Sequence, residues 1–348
     1  MVMRSLSACF VLACAIALPG TLLAQEAPSE PASTPYAGMP KIAPIGVRIA
    51  KYADVPESAK GPPLDPAKGY RLQDLGDGLY MITDNANQSM FLVYDKGVVV
   101  VDVPQSYAAK MKQAIAEVTD QPITHIIYSH AHKDHIGGAG SLGGTPIIIA
   151  HEETKKLLQR DNDPDRPLPT VTFADKYTLR VGGKVLDLSY HGGPAHLPGN
   201  LFISAPKQRV LMVIDVVFPG WMPWRRFAIA ESVLGSIAQA EEIEKLDWDT
   251  FIGGHVTRTG THADVRTQLE FYADLKKAAA DALGSTKVGE GVDPADMTNA
   301  WAVFDNFIDR VVVQCVNTIA PKWQTRLGGF DAFAWDQCYS MEQVLRIE

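Results

Sequence analysis

Three histidines and one aspartate lie within six residues in the segment Ser129-His130-Ala131-His132-Lys133-Asp134-His135-Ile136-Gly137-Gly138. Imidazole nitrogens and carboxylate oxygens are ligands that divalent metal ions take in proteins. The apolar, β-branched run 123–128 immediately before the segment predicts a buried strand. Alternate residues of an extended chain point to the same side, so His130 and His132 can converge on one ion. The segment therefore predicts a metal site where a strand gives way to a glycine-containing turn.

The pattern His130-Ala131-His132-Lys133-Asp134-His135 resembles the HxHxDH signature of the metallo-β-lactamase superfamily. The resemblance implies three further ligands: a histidine in a Gly-Pro turn, a carboxylate after a strand, and a histidine after a strand and a glycine. The matching positions are His196 within 193–200, where Leu197 replaces the usual threonine, Asp215 after the run 210–214, and His255 after Gly254. The resemblance then implies one ion on His130, His132 and His196, a second on Asp134, His135 and His255, and a bridge by Asp215.

The fold implied by this resemblance is an αββα four-layer sandwich with the metals in a cleft at the sheet edges. The resemblance covers residues 78–262. The alternation of short strand-like runs with helical spacing agrees with an α/β class. Beyond residue 263 the pattern is helical. We predict four parts: a signal peptide (1–24), a Pro-rich arm or linker (25–69), a catalytic domain (70–275) and a helical C-terminal extension (276–348).

The first residues carry the features of a sorting signal. Arg4 precedes a run of 11 apolar residues, 8–18, which Pro19 and Gly20 interrupt before Ala24. A retained membrane anchor would need about 20 apolar residues, and a lipoprotein signal ending at Cys14 lacks a good lipobox. We therefore expect cleavage after Ala24 and an exported protein, in a bacterial periplasm or secreted, with no membrane anchor after cleavage.

Composition limits the possible partners and the packing of the arm. The 348 residues have a formal net charge of −8 and no basic run, which argues against nucleic acid and anionic membranes as partners. Residues 25–69 hold nine of the 23 prolines, which predicts an extended, poorly packed segment. Cys315 and Cys338 remain after signal cleavage, and they form either one disulfide or two separate buried thiols. The oligomeric state is left open.

The implied cofactor is a pair of divalent ions. Three histidines suit Zn²⁺ first, and the carboxylates also suit Mn²⁺ or Fe²⁺. Metal ions lower the pKa of water from 15.7 to about 7, so the expected reaction is metal-assisted hydrolysis by a bridging hydroxide. We expect Asp134 to orient that nucleophile and to carry a proton, and the substrate to be a small ester, lactone or amide.

Other activities of the superfamily remain as alternatives. Export and the turn around His196 favour a true β-lactamase, whereas Asp215 disfavours it because those enzymes typically lack a bridging aspartate. An iron oxidoreductase of the persulfide dioxygenase type is a further alternative, which the complete ligand set disfavours. An accessory protein of a periplasmic quinoprotein system is another.

The best substrate clue is the aromatic run 218–227 after Asp215. We predict an apolar wall that includes Trp221, Trp224 and Phe227, with Arg225 able to meet a carboxylate. The alternative is that this run packs against its own core or the C-terminal helices, which would move the pocket to the hairpin tip 84–89. His191 is a candidate to support a ligand, and the other histidines, His125, His151 and His262, receive no role.

Overall fold

The computed structural model describes residues 52–348 and contains two β-sheets. The first sheet has seven strands in sequential order, antiparallel from β1 to β4 and parallel from β4 to β7. Its strands are β1 (Arg71–Asp74), β2 (Leu79–Thr83), β3 (Gln88–Tyr94), β4 (Gly97–Val101), β5 (Ile123–Ile127), β6 (Ile147–His151) and β7 (Val171–Phe173).

The second sheet has five strands in the order β12-β11-β10-β9-β8. β11 and β12 are parallel, and the other neighbours are antiparallel. Its strands are β8 (Lys176–Val181), β9 (Lys184–Tyr190), β10 (Leu201–Ala205), β11 (Val210–Val213) and β12 (Thr250–Ile252).

Eight helices flank the sheets within residues 52–348. The described chain has no helix long and apolar enough to cross a membrane. The helices are α1 (Ala108–Ala116), α2 (Lys133–Ile136), α3 (Glu152–Asp161), α4 (Arg225–Ile229), α5 (Val233–Lys245), α6 (His262–Ser285), α7 (Ala300–Trp323) and α8 (Phe330–Ile347).

Three apolar cores define four layers. The facing sides of the two sheets enclose one core, to which Met81 and Val99 contribute from the first sheet and Met212 from the second. A second core lies between the first sheet and α1, and a third between the second sheet and helices α5 to α8. The predicted αββα sandwich with a helical C-terminal extension is therefore confirmed.

The extension is tied to the sandwich rather than set apart from it. The predicted boundary between residues 275 and 276 falls inside the continuous helix α6. Helices α6, α7 and α8 pack against one another, and a disulfide joins Cys315 of α7 to Cys338 of α8. Both sulfur-bearing side chains are fully buried. Of the two alternatives for these cysteines, the structure has the bridged one.

The predicted signal peptide, 1–24, lies outside the described residues, and so does the arm as far as residue 51. Most residues of the described part of the arm, 52–69, are exposed, and Ala59 is the residue of this part that is buried. Ala59 is fully buried, and its carbonyl accepts hydrogen bonds from Trp221 Nε1 (2.7 Å) and Thr257 Oγ1 (2.6 Å). Proline limits the conformations of such a segment without preventing its carbonyls from accepting hydrogen bonds.

Candidate metal centre

All seven predicted ligands lie in segments that follow strands, and they meet at one place. His130 and His132 follow β5, and Asp134 and His135 lie in the short helix α2. His196 lies between β9 and β10, Asp215 follows β11, and His255 follows β12. The structure thus brings together residues that are up to 125 positions apart in the sequence.

The first group consists of His130, His132, His196 and Asp215. His132 Nδ1 lies 3.0 Å from His196 Nε2. Asp215 Oδ2 lies 3.1 Å from His196 Nε2 and 3.6 Å from His130 Nε2. His130 Nε2 is buried and has no hydrogen-bond partner among the described residues. An unprotonated nitrogen in that position is suited to metal ligation.

The second group consists of Asp134, His135 and His255. The Nε2 atoms of His135 and His255 are 3.1 Å apart. Asp134 Oδ2 lies 3.3 Å from His255 Nε2 and 3.4 Å from His135 Nε2. Atoms that each lie 2.0–2.2 Å from one tetrahedral ion are about 3.3–3.6 Å from one another. The spacing within both groups therefore fits a metal ion in each.

Asp215 belongs to both groups through its carboxylate. Its Oδ2 lies 3.1 Å from His196 Nε2 in the first group and 3.2 Å from His135 Nε2 in the second. Its Oδ1 lies 3.1 Å from His255 Nε2. The side chain is buried, and its backbone is left-handed, at φ 64°. A carboxylate with both oxygens against the two groups has the geometry of a bridging ligand.

Burial and neighbouring charges set the protonation of the first group. Desolvation and the neighbouring histidines hold the pKa of His130 well below its usual value, and desolvation with repulsion from His196 lowers that of His132 to about 4. These two rings are therefore neutral at physiological pH, with lone pairs free for a metal. Although burial opposes ionisation of Asp215, attraction to His135 and His255 holds its pKa well below the usual value.

In the second group, the neighbouring carboxylates raise the pKa of a histidine instead of burial lowering it. Burial disfavours the charged form of His255, but Asp215 and Asp134 outweigh it and raise the pKa to about 10. Burial also opposes ionisation of Asp134, whereas the hydrogen bond from His255 and the charge of His135 hold its pKa below the usual value. A metal ion bound here would take the place of the proton on His255, since one ring nitrogen cannot hold both.

Asp102 is a supporting residue that sequence reasoning missed. It is fully buried directly after β4, and its Oδ1 accepts a hydrogen bond of 2.8 Å from the backbone N–H of Ser129. Burial raises its pKa to about 6, against the attraction of His135. Its backbone is left-handed, at φ 61°. The sequence does contain a signal for this role: Asp102 directly follows the all-apolar strand 98–101, and a buried carboxylate needs hydrogen-bond partners.

Two backbone carbonyls orient the ligand segments. Ala86 O lies 2.9 Å from His255 Nδ1. A carbonyl only accepts, so Nδ1 donates and Nε2 is left for a metal. This places the hairpin tip 84–89 beside the centre. On the other side, Arg166 Nη1 donates to the carbonyl of Ala131 at 2.7 Å, between two ligands.

The predicted substrate wall is only partly present. Phe227 is 1% exposed and lies in the core, with its ring 5.0 Å from that of Tyr272, so its assignment to the pocket is wrong. Trp221 is half-buried, and Arg225 Nη1 lies 3.8 Å from Asp336. The phenyl ring of Phe218 stacks 6.4 Å from the imidazole of His255. Phe218 is therefore the aromatic residue of this run that reaches the centre.

The remaining histidines make contacts of other kinds. His191 Nδ1 lies 2.6 Å from Glu242, and its Nε2 lies 2.8 Å from Ser189, so it has partners away from the ligand set. His151 caps helix α3 by accepting from the Glu153 N–H. His262 stacks on Trp248, with 3.8 Å between ring centroids.

Comparisons with known proteins agree with this geometry. A sequence profile described as "Metallo-beta-lactamase superfamily" matches residues 82–277. The chain is 28% identical over 233 residues to 2,4-dinitroanisole O-demethylase subunit alpha from Nocardioides sp. (strain JS1661), covering 62% of this chain and 65% of that protein. It is 30% identical over 145 residues to N-acyl homoserine lactonase of Bacillus thuringiensis, covering 38% and 56%.

A type 2 metallo-beta-lactamase of Elizabethkingia meningoseptica is 28% identical over 156 residues, covering 41% of this chain and 60% of that protein. The chain therefore matches less than two thirds of the length of each of these relatives. Among solved structures, a metallo-beta-lactamase from Pontibacter korlensis superposes with a TM-score of 0.51 and 17% identity, covering 59% of this chain and 99% of that one. These structural matches concern the fold.

Proposed function

Because the chain belongs to the metallo-beta-lactamase superfamily, we propose that it is a hydrolase that uses two divalent ions, zinc in the first instance, to cleave a small ester, lactone or amide. The observation that carries the proposal is the position of Asp215, whose carboxylate oxygens touch both ligand groups. One carboxylate shared in this way favours two ions held close together over a single isolated ion.

Bound metal would supply Lewis acidity and a nucleophile at neutral pH. The chain's own contribution is to hold the ligands in place and to leave one side open. The side chains of His130, His135, His196 and Asp215 are at most 1% exposed, whereas that of Asp134 is 45% exposed. A substrate therefore approaches from the side of Asp134, where Phe218 and His255 also lie.

Asp134 is the group best placed to move a proton. Its pKa is held below the usual value, so the carboxylate is ionised at neutral pH and can accept a proton at Oδ2. The exposure of its side chain lets the same oxygen deliver that proton to a leaving group. His255, 3.3 Å away, orients the carboxylate.

A second candidate reaction is cleavage of an aryl alkyl ether. It is favoured by the length of the match to the O-demethylase subunit, 233 residues against 145 and 156 for the lactonase and the β-lactamase. An alignment of that length extends beyond the 82–277 family segment. In that reaction water would be the co-substrate and one ether C–O bond would break, and Asp134 would pass the proton taken from the water to the departing oxygen, so that a phenol and an alcohol are released.

Metal analysis and a substrate panel test these proposals together. The purified protein should hold about two zinc ions per chain, and a panel of an acyl lactone, an aryl ester, nitrocefin and 2,4-dinitroanisole should reveal the reaction. We expect turnover of the lactone or ester that is lost on chelation and restored by zinc. Turnover of nitrocefin or the anisole alone would replace the first proposal, and one ion per chain would contradict the paired centre.

We also propose export, from the signal-like residues 1–24. Expression of the full chain in a bacterium should give a periplasmic protein, and its intact mass should equal that of a chain that starts at Gln25. A cytoplasmic protein with an uncleaved N-terminus would contradict this proposal.

A further inference from the structure

The segment 216–232, here called the ligand loop, connects Asp215 to helix α5 and touches the metal centre at both ends. Its first residue follows the bridging carboxylate directly. Near its other end, the N–H of Glu231 donates to the carbonyl of His196 at 3.1 Å, and the N–H of Ser232 donates to the carbonyl of Ala195 at 3.0 Å. The shape of this loop therefore affects the positions of two ligands.

The middle of the ligand loop has a backbone that L-residues disfavour. Arg226, Phe227, Ala228 and Ile229 have φ between 50° and 60°, and none is a glycine. In this left-handed conformation Cβ approaches the following carbonyl oxygen, so four such residues in succession do not persist without support. Contacts from elsewhere in the chain must hold the turn.

The first such contacts come from Gly328, which lies between α7 and α8. Its N–H donates to the carbonyl of Gly220 at 3.0 Å, and its carbonyl accepts from the N–H of Met222 at 3.0 Å. A Cβ at position 328 would lie 2.6 Å from the ring of Trp221, so glycine is required for this approach.

Helix α8 supplies the next contacts. The fully buried Gln337 donates through Nε2 to the carbonyls of Pro223 (2.8 Å) and Trp224 (2.7 Å). The neighbouring Asp336 accepts from the N–H of Arg226, at the start of the left-handed residues. One turn of α8 thus binds the backbone just where the unfavourable conformation begins.

These supports lie outside the part of the chain that resembles the superfamily. The family match ends at residue 277, whereas the supports lie at 328, 336 and 337. Cys338, next in sequence to Gln337, is bound to Cys315 of α7, so the supporting turn of α8 is fixed to the rest of the extension.

We propose that the C-terminal extension serves as an internal template for the ligand loop, and that Gln337 is the positioning residue through which it acts on the metal centre. Within residues 52–348 the hydrogen bonds of Gln337 go to backbone carbonyls and not to a ligand side chain, and its own side chain is fully buried. It fixes the backbone at Pro223 and Trp224, and the turn that follows carries this constraint to Ser232 and the His196 segment. Only the kinetic consequence rests on the proposed function, because the effect on zinc binding does not require turnover.

The test replaces Gln337 by methionine, which keeps the length of the side chain and removes both donated hydrogen bonds. The matched control is Gln343→Met on the same helix, where the lost bond is to the Tyr339 hydroxyl, away from the loop. Zinc affinity is measured by competition with a chromophoric chelator, and the loop is followed by amide hydrogen exchange. We expect zinc to bind about 10- to 100-fold more weakly to Gln337→Met, the usual effect of losing outer support. Amides of 223–232 should exchange faster.

Gln343→Met should match the parent protein in both measurements. Equal zinc affinity and equal exchange in Gln337→Met and Gln343→Met would overturn the proposal. If Gln337→Met does not fold, Gly328→Ala is the second variant, because it disturbs the other support of the loop. It should also weaken zinc binding. An unchanged zinc affinity in Gly328→Ala would overturn the proposal as well. A parent protein that binds zinc but cleaves no substrate of the panel contradicts the hydrolase proposal, while the zinc comparison still decides this one.

Discussion

Two segments beside the candidate metal centre are held in different ways. The turn 129–138, here called the histidine turn, is supported from nearby: its amides donate to carbonyls within the turn, and Gly138 N–H donates to Val103 at 2.9 Å. The ligand loop is supported from far along the chain, since Gln337 follows Trp224 by 113 positions. The support of the histidine turn is largely contained in the turn and the strands beside it. The support of the ligand loop exists only where the extension exists.

The difference also appears in how polar groups are buried. In the histidine turn, burial opposes the charged form of His135, but Asp215 raises its pKa. The charge of that imidazole favours the buried carboxylates of Asp102 and Asp215, so opposite charges offset part of the cost of burial. Around the ligand loop, the buried amide of Gln337 satisfies backbone carbonyls and carries no charge. One region is built to bind cations, and the other is built to maintain a backbone shape.

The largest expected effect comes from removing a ligand of the histidine turn. Asp134→Ala should release zinc from the second group and lower kcat roughly a thousand-fold or more, because both an ion and a proton carrier are lost. The fold should persist, since neighbouring backbone bonds support the turn. Metal content, kcat and circular dichroism check this. Asp165→Ala is the control, because Asp165 is exposed and pairs only with Lys133 of the turn. Full activity of Asp134→Ala would contradict the ligand assignment.

Removal of the disulfide tests the dependence of the ligand loop on the extension. The double variant Cys315→Ala, Cys338→Ala should lower the free energy of unfolding by about 3 kcal/mol, the entropic value for a loop of this length. Thermal unfolding measures that loss. Hydrogen exchange should then rise across 216–232 and stay unchanged across 129–138. Equal rises in both segments would remove the distinction between them.

The two tryptophans of the ligand loop should respond differently. Trp224 is a half-buried member of the predicted substrate wall, so Trp224→Ala should mainly raise KM, by a factor that corresponds to about 1–3 kcal/mol of substrate binding. Trp221 Nε1 donates to Ala59, so Trp221→Phe should cost about 1 kcal/mol of stability and leave KM unchanged. Steady-state kinetics and thermal unfolding separate the two. A KM that rises only in Trp221→Phe would reverse the assignment.

The smallest effect is expected at Asp309, in α7 of the extension. Burial and the charge of Asp305 raise its pKa to about 6, so the folded state favours the protonated form. Its stabilisation is present below the ordinary pKa of about 3.8 and is lost as the pH rises through 6. For this half-buried group the cost at high pH is about 1 kcal/mol after solvent screening.

Asp309→Asn should therefore stabilise the protein at pH 8 and leave it nearly unchanged at pH 3.5, as measured by chemical unfolding at each pH. Kinetic constants at pH 8 should equal those of the parent protein. Such a result would show that the stability of the extension and the positioning of the ligand loop are separable. A gain of equal size at both pH values would exclude titration of Asp309 as the cause.

The sequence predicts the locally supported histidine turn better than the ligand loop, whose support is remote. The histidine turn and its strand are local, so the ligand spacing and β5 could both be read from adjacent residues. The helical character of the extension was predicted, but the bounds of α8 were not, because its apolar residues pack against a remote surface and Gly329 alone marks its start.

The assignment of Phe227 to the pocket failed for the same physical reason. An aromatic run beside a ligand predicts an apolar wall, but Phe227 turns inward because the left-handed residues direct it toward Tyr272. That conformation depends on Asp336 and Gln337, and no local pattern in residues 218–232 indicates it. Asp102 was missed because one carboxylate after a valine strand carries no spacing pattern of its own.

The distance between Gln337 and the carbonyls it binds has a consequence for the order of assembly during synthesis. Gln337 follows Pro223 by 114 residues. A ribosome adds roughly 5–20 residues per second, so roughly 6 to 23 s pass between the synthesis of the loop and that of the helix that shapes it. During that interval the histidine turn already has its neighbouring strand, whereas the carbonyls of Pro223 and Trp224 have only water as a partner. A nascent chain halted before α8 would thus present its first ligands in place and the bridging aspartate on an unshaped loop, so ion capture should follow the synthesis of the last helix.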